Sequence, residues 1–264
     1  MSRYALEGRR VLITGASAGI GRDLSLRWAK LGARLVLCAR SEEELEETAV
    51  GVREAGGEAL VVPADVTDPE ACQEVVDRGV ELYGGLDVAI LNAGISMRGS
   101  ILDCDSEAML RVMRVNYDGS VHCFSAARKH LVQSGGQVVI VSSLTGKKGI
   151  PGRAAYSASK WALHGFFNAA RIELAAHGVH VLIVCPGFVD TEIRKRSLGP
   201  DGGPVQTQAK TVGRVLSVKE VSEAILSGVH QRKREMVLPG LGRLMCYLDR
   251  VSPRFTDWLV SRMV

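Results

Sequence analysis

The stretch RVLITGASAGIG, residues 10–21, decides the fold because an apolar run leads directly into three closely spaced glycines. Residues 10–14 are typical of a buried strand, and residues 24–31 have the apolar spacing of a helix. Gly15, Gly19 and Gly21 let the backbone turn tightly and approach a pyrophosphate, whose charge the N-terminus of the next helix attracts. The G-x-x-x-G-x-G spacing therefore predicts a dinucleotide-binding loop between the first strand and the first helix.

The alternation of strand and helix continues along the chain. Further short apolar runs predict strands at residues 34–39, 59–63, 86–91, 136–141, 179–185 and 236–239. Helices are expected at the capping-box pattern of Ser41 and Glu44, over residues 69–83, after Ser106, and from Tyr156 to Ala176. This order predicts an α/β fold, a Rossmann-like doubly wound parallel sheet of about seven strands with helices on both faces. No repeat or Pro/Gly-rich linker divides the sequence, so residues 1–264 are expected to form a single domain.

The composition is that of a soluble globular protein, with 46% hydrophobic and 23% charged residues. A net charge of +4 is too small to indicate a nucleic-acid partner. The sequence has neither an uncharged apolar run of transmembrane length nor a signal-peptide pattern, and its six scattered cysteines are expected to be reduced. A cytoplasmic location is expected. No metal site is expected, since His177 and His180 straddle a helix end and a strand start.

The glycine loop also matches the G-x-S-x-G nucleophile elbow of serine hydrolases, with Ser17 as the nucleophile. A hydrolase would need an acid and then a histidine later in the chain. In hydrolases of that fold, the elbow does not follow the first strand of the chain. The dinucleotide interpretation is therefore favoured over the hydrolase.

Tyr156 and Lys160 are four residues apart, which places them on one face of a helix. An isolated phenol has a pKa of about 10, and a neighbouring ammonium favours the phenolate and lowers that value. Such a tyrosine can exchange a proton with a carbonyl or alcohol oxygen. Because the same spacing occurs by chance in many helices, its meaning depends on the rest of the chain.

The remaining motifs give that context, and together they resemble one family. They comprise residues 14–21, Asn92-Ala-Gly94, Asn116, Ser143 thirteen residues before Tyr156, Lys160 and Pro186-Gly187. In this order, over roughly residues 6–240, the chain resembles the short-chain dehydrogenases/reductases. More narrowly, it is similar to the subgroup of dehydrogenase/reductase family member 7 and its bacterial relatives.

The resemblance implies a catalytic role for four residues. Tyr156 would be the general acid/base, and Lys160 would lower its pKa and hold the nicotinamide ribose. Ser143 would hydrogen-bond the substrate oxygen and stabilise developing negative charge. Asn116 would anchor a water that continues the proton relay from Lys160. Hydride would pass directly between the nicotinamide ring and the substrate carbon.

The resemblance also implies which residues hold the cofactor. The phosphate side would comprise Gly15, Ser17, Ala18, Gly19, Ile20 and Gly21, and the adenine would lie at Asp65 and Val66. The remaining contacts would come from Asn92, Ala93, Gly94, Tyr156, Lys160, Pro186, Gly187, Val189 and Thr191.

The end of the second strand bears on the choice of nicotinamide. A carboxylate there selects NAD, but this chain has Ala39 followed by Arg40, whose guanidinium suits a 2′-phosphate. NADP(H) is therefore predicted, with NAD(H) as the alternative. Ala18 departs from this pattern, because many NADP-preferring relatives carry a lysine or arginine at that place.

The substrate side is predicted to be mostly apolar. The flanking residues are Ile95, Met97, Leu144, Ile150, Pro151 and Phe188. They favour a lipid-like or steroid-like ketone, aldehyde or alcohol as the small-molecule substrate, unless they belong to the ordinary core. Residues 188–214, which are polar and glycine-rich, are expected to form a lid or loop over the substrate.

The amphipathic tail at residues 241–264 leaves several interpretations open. It packs on the domain or covers the substrate entrance, joins a partner subunit, or makes peripheral membrane contact. The resemblance alone implies a homodimer or homotetramer. The alternative function is a non-catalytic NADP(H)-binding sensor or scaffold, against which the intact Ser143, Tyr156 and Lys160 argue.

Overall fold

Seven parallel strands form one sheet in the computed structural model, which describes residues 3–205 and 214–263. The strands are β1 (Arg10–Thr14), β2 (Arg34–Ala39), β3 (Glu58–Pro63), β4 (Val88–Leu91), β5 (Gln137–Val141), β6 (His180–Pro186) and β7 (Glu235–Leu238). The helices are α1 (Gly19–Ala29), α2 (Glu42–Glu54), α3 (Pro69–Tyr83), α4 (Ser106–Met113), α5 (Gly119–Ser134), α6 (Ala154–Ala175), α7 (Glu192–Lys195), α8 (Val218–His230), α9 (Gly240–Val251) and α10 (Pro253–Met263). The predicted Rossmann-like, doubly wound sheet is confirmed.

The core lies in two layers, one on each face of the sheet. Along β1, Val11 and Ile13 pack with side chains of α1, α2 and α8, whereas Leu12 packs with those of α3, α5 and α6. Both faces are therefore buried, which is why the strands appear in the sequence as continuous apolar runs instead of alternating ones.

The strand order β3-β2-β1-β4-β5-β6-β7 reverses direction at β1, which pairs with both β2 and β4. The connections that leave β1 and β4 diverge to opposite sides of the sheet, and a crevice opens at their carboxyl ends. Ligands of doubly wound sheets bind in this crevice. It brings the loop after Thr14 next to the segment that begins at Asn92.

Several elements differ from the sequence prediction. Helix α1 begins at Gly19, earlier than the expected residue 24, and α8 was not predicted at all. A capping box formed by Ser217 and Glu220 starts α8 and is visible in the sequence. The long helical region after Ser106 is interrupted by a π-helical turn, Arg114–Asp118, between α4 and α5.

The loop predicted over residues 188–214 lies beside the carboxyl end of the sheet. Its short helix α7 is followed by Leu198, whose N–H donates to Ser96 O at 2.8 Å. Arg98 N in turn donates to Leu198 O at 2.8 Å, so the loop pairs with the chain after β4. Residues 206–213, which belong to the predicted lid, lie outside the described residues. No helix in the described parts of the chain has the length and apolarity needed to cross a bilayer.

Candidate active site

A cleft of about 700 Å³ opens at the carboxyl ends of the central strands. All the residues predicted for catalysis and cofactor binding line this cleft except Gly21 and Asn116, which are buried. On the substrate side, Ile95, Leu144, Ile150 and Phe188 line the cleft.

Two residues predicted for the substrate side do not line the cleft. Met97 is only 2% exposed and packs in a small core cluster with Ala108 and Val112, and Pro151 is exposed on the surface. For Met97 the structure shows the alternative that the sequence left open, an ordinary core residue, whereas for Pro151 the prediction was wrong because it lies in an exposed turn.

The glycine loop has the geometry of an anion site. Gly15 and Gly19 adopt positive φ angles of 66° and 53°. A Cβ atom on Gly21 would lie 2.1 Å from Gly15 O, so only glycine allows helix and loop to approach this closely. Helix α1 has neither a side-chain cap nor an acidic residue in its first turn. Its first N–H groups are therefore available to an anion.

Asn92 and Thr14 join this loop to the end of β4. The Asn92 side-chain amide donates to Thr14 O at 3.0 Å and to Gly15 O at 3.2 Å. In the other direction, the backbone N–H groups of Asn92 and Ala93 both donate to Thr14 Oγ1 at 3.0 Å. Asn92 therefore shapes the glycine loop as well as lining the cleft.

Arg40 lies exposed at the cleft wall directly after β2 and makes no hydrogen bond or ion pair with any described residue. The nearby Glu44 does not complete the predicted capping box. Ser41 Oγ accepts from Glu44 N, but the Glu44 carboxylate bonds Ser17 and, at 2.9 Å, Arg196. Arg196 is the main cause that lowers the pKa of Glu44. The Glu44 carboxylate beside Ser17 is thus already paired with a cation.

Tyr156 and Ser143 meet where β5 and α6 approach each other. Ser143 follows β5 directly after Ser142, and Tyr156 is in the first turn of α6. Burial raises the pKa of Tyr156 above its usual 10.0, while the charge of Arg153 and a hydrogen bond from Ser143 act in the opposite direction. The phenol is therefore held in its protonated form at neutral pH.

Lys160 is 4% exposed and donates from Nζ to Val141 O at 2.9 Å. The Nζ atom lies 5.7 Å from the centroid of the Tyr156 ring. Burial lowers the pKa of Lys160 from 10.5 to about 8. The sequence predicted that this ammonium would lower the pKa of Tyr156, but here burial has the larger effect and raises it.

Asn116 is placed by the π-helical turn, a feature that often marks functional sites. Its side chain is fully buried, accepts from Ile95 N at 2.7 Å and donates to Ile95 O at 3.0 Å and Ser159 Oγ at 2.9 Å. A Cβ atom on Gly94 would lie 3.0 Å from Asn116 Oδ1 and 3.6 Å from Lys160 Nζ. The amide is therefore a bridge between the chain after β4 and helix α6.

The sequence analysis missed His164, one helical turn beyond Lys160. Its Nε2 lies 3.1 Å from Ser142 Oγ and 3.6 Å from Cys185 Sγ. Burial is the main cause that lowers the pKa of His164 to about 4, so the ring is neutral at pH 7. The signal was its i, i+4 spacing from Lys160, but a lone histidine in an apolar helix gives no reason to choose it.

A parallel sheet with a glycine loop at its crossover, facing a tyrosine, a serine and a buried lysine, is typical of oxidoreductases that use a nicotinamide dinucleotide. The sequence profile described as short chain dehydrogenase matches residues 9–200. The chain therefore belongs to the short-chain dehydrogenase family.

Individual relatives support the same assignment. The chain is 34% identical over 251 residues to dehydrogenase/reductase SDR family member 7B of Bos taurus, covering 92% of this chain and 77% of that protein. It is 32% identical over 267 residues to dehydrogenase/reductase SDR family protein 7-like of Drosophila melanogaster, and the match covers 98% of this chain and 82% of that protein. The crystal structure of an alcohol dehydrogenase from Thermococcus sibiricus, complexed with 5-hydroxy-NADP, aligns with a TM-score of 0.74 and 28% identity, covering 86% of this chain and 94% of that one. The predicted likeness to the member 7 subgroup is confirmed.

Proposed function

We propose that this protein is an NADP(H)-dependent oxidoreductase that interconverts a hydrophobic ketone or aldehyde, lipid- or steroid-like, and its alcohol. The observation that carries the proposal is the meeting of Ser143, Tyr156 and Lys160 in one cleft with the glycine loop. We propose these residues and Asn116 as the catalytic group. Residues 1–264 are proposed to act as one domain.

The proposed proton transfers follow from the positions of the side chains. During reduction, Tyr156 donates its phenolic proton to the substrate oxygen, and Ser143 donates a hydrogen bond to the same oxygen. Lys160, whose pKa is about 8, is suited to return a proton to the phenolate near neutral pH. Asn116 keeps the chain after β4 at its distance from α6. A bound nicotinamide cofactor supplies or accepts the hydride at the substrate carbon.

The residues around the cleft fit a dinucleotide. The close packing at Gly21 and the uncapped start of α1 suit a pyrophosphate. Asp65 and Val66 are proposed to hold the adenine, and Asn92, Ala93 and Gly94 to lie along the cofactor. Four residues after β6 are proposed for the nicotinamide side: Pro186, Gly187, Val189 and Thr191. Of these, Thr191 already approaches the glycine loop, since its Cγ2 lies 3.3 Å from a Cβ placed on Gly19.

The preference for NADP(H) over NAD(H) is proposed from Arg40. This guanidinium stands exposed after β2, where Ala39 leaves no carboxylate to repel a 2′-phosphate. The NADP derivative in complex with the Thermococcus sibiricus alcohol dehydrogenase supports the same preference. A charge-assisted hydrogen bond contributes about 1.5–3 kcal/mol, which corresponds to a factor of roughly ten to a hundred in affinity.

A fluorescence titration with NADPH and NADH tests the cofactor assignment. We expect tighter binding of NADPH, a loss of that preference in Arg40→Asp, and no loss in Arg78→Asp, which changes a matched exposed arginine on α3. Equal binding of both nucleotides by the wild type would refute the role of Arg40. Binding of neither would refute the enzyme assignment itself.

Turnover separates the enzyme from a non-catalytic sensor. With apolar ketones and aldehydes as substrates, we expect Tyr156→Phe to bind NADPH as the wild type does and to lose turnover. A wild type that binds NADPH and reduces no carbonyl in such a series would favour the sensor or scaffold.

The assembly and location of the protein remain proposals as well. Enzymes of this family often form oligomers, and we propose a homodimer or homotetramer in the cytoplasm. Light scattering during size-exclusion chromatography tests the oligomer, and a monomer at micromolar concentration would contradict it.

A further inference from the structure

Helices α9 and α10 pair with each other at the end of the described chain and pack only in part on the sheet layer. Gly242 is buried, and a Cβ there would lie 2.8 Å from Leu144 Cδ2. Since Leu144 lines the cleft, the start of α9 lies beside its substrate side. One face of these helices therefore packs on the domain, which is one of the interpretations of the tail that the sequence left open.

The other face exposes large apolar side chains at helical spacing. Six large apolar side chains of α9 and α10 are between 47% and 68% exposed: Leu241, Leu244, Tyr247, Val251, Phe255 and Trp258. In α9 they recur every three or four residues, which places them on one stripe. In α10, the rings of Phe255 and Trp258 stack with centroids 5.9 Å apart. Contiguous apolar exposure of this kind marks an interaction surface.

The charges around this stripe are predominantly positive. Four arginines of the tail are exposed: Arg243, Arg250, Arg254 and Arg262. The two aspartates of the tail, Asp249 and Asp257, each lie 2.6 Å from Lys148 Nζ, so this one cation offsets part of their charge and the four arginines leave the tail with a net positive charge. The outer surface is therefore apolar, aromatic and positively charged.

We propose that this outer face of α9 and α10 docks on an anionic lipid bilayer. An amphipathic helix with aromatic residues on one face and arginines beside them lies in the membrane interface, where the rings enter the acyl boundary and the guanidiniums meet lipid phosphates. A second copy of the chain fits less well, because a two-fold contact pairs the same patch of both copies and would bring two surfaces of net positive charge together. Docking would place the substrate side of the cleft near the membrane, where an apolar substrate is concentrated. The proposed membrane docking does not depend on the proposed cofactor or substrate.

Co-sedimentation of the full chain with vesicles tests this proposal. Vesicles of phosphatidylcholine with phosphatidylglycerol are compared with vesicles of phosphatidylcholine alone. We expect sedimentation with the anionic vesicles only, weakened by added salt. One arginine near an anionic surface contributes about fivefold to binding, so Arg250→Gln/Arg254→Gln should lower the affinity roughly twenty-five-fold.

Tyr247→Ser/Trp258→Ser tests the aromatic contribution and should also weaken sedimentation. The matched control is Leu82→Ser/Arg78→Gln, an exposed apolar and basic pair on α3, which should bind as the wild type does. In Trp161→Phe, the exposed emitter is Trp258, since Trp28 is fully buried, and its fluorescence should shift to the blue with anionic vesicles.

Three results would overturn the proposal. The first is a wild type that sediments with neither vesicle, and the second is one that sediments equally with both. The third is a dimer that dissociates in Tyr247→Ser/Trp258→Ser while no vesicle is bound, which would assign the face to a second copy of the chain.

Discussion

Lys160 gives a direct test of how burial tunes this site, because its ammonium is enclosed without a carboxylate partner among the described residues. Burial lowers its pKa from 10.5 to about 8. At about 1.36 kcal/mol for each pKa unit, this shift corresponds to roughly 3 kcal/mol between the two protonation states.

The direction of the pH dependence follows from whether the folded or the unfolded chain loses the Lys160 proton at the lower pH. Below about pH 8, Lys160 is charged in both the folded and the unfolded chain. As the pH rises from about 8 to 10.5, the folded protein loses this proton while the unfolded chain keeps it. The free energy of unfolding therefore rises with pH across this window.

Urea unfolding of Tyr156→Phe and of Tyr156→Phe/Lys160→Met at a series of pH values measures the effect. The phenylalanine removes the phenol, whose raised pKa lowers stability at alkaline pH and would mask the lysine. The stability difference between the two proteins should grow by up to about 3 kcal/mol in favour of the lysine form. A difference that stays constant from neutral to alkaline pH would refute the assigned burial effect.

Two further predictions concern the glycine loop and the site behind it. Gly21→Ala forces a Cβ to 2.1 Å from Gly15 O, so we expect a loss of about 1–3 kcal/mol and weaker NADPH binding by calorimetry. Gly149→Ala, with nothing within 4 Å of its Cβ, should change neither the stability nor the NADPH affinity. His164 has a folded pKa of about 4 against 6.5 unfolded, so the wild type should lose roughly 3 kcal/mol relative to His164→Gln as the pH falls from 6.5 to 4. The prediction would be contradicted if the urea midpoints of the wild type and of His164→Gln changed in parallel between pH 6.5 and pH 4.

Most of the sheet was predictable because its strands are buried on both faces. The apolar run 34–39 became β2 with the same bounds, and the expected helix 69–83 became α3, which Asp68 caps at its start. Burial on both faces leaves a signal in the sequence that needs no partner strand to be recognised. Helix α8 shows the limit of such prediction, since its capping box at Ser217 was present and overlooked.

Other features depend on contacts that the sequence does not reveal. The π-helical turn that places Asn116 looks like ordinary helix in the sequence, and the hydrogen bonds of its side chain with Ile95 and Ser159 join segments that are far apart in the chain. Glu44 matches a capping box but bonds Arg196, which lies 152 residues further along. For the site, the motifs predicted which residues gather, whereas their burial and their hydrogen-bond partners came from the fold.

The same enclosure moves the pKa values of Tyr156 and Lys160 in opposite directions, because it disfavours each charged form. At neutral pH the phenol is protonated, as the proposed role of Tyr156 as proton donor in carbonyl reduction requires, whereas alcohol oxidation in the proposed mechanism needs the phenolate. We therefore expect kcat/KM for reduction to change little from neutral to mildly alkaline pH, while kcat/KM for oxidation rises over the same range. Initial rates with NADPH and a ketone, and with NADP⁺ and the matching alcohol, measure both profiles. Coincident profiles would mean that another group, with Arg153 as the first to test, controls the ionisation of Tyr156 more strongly than its burial does.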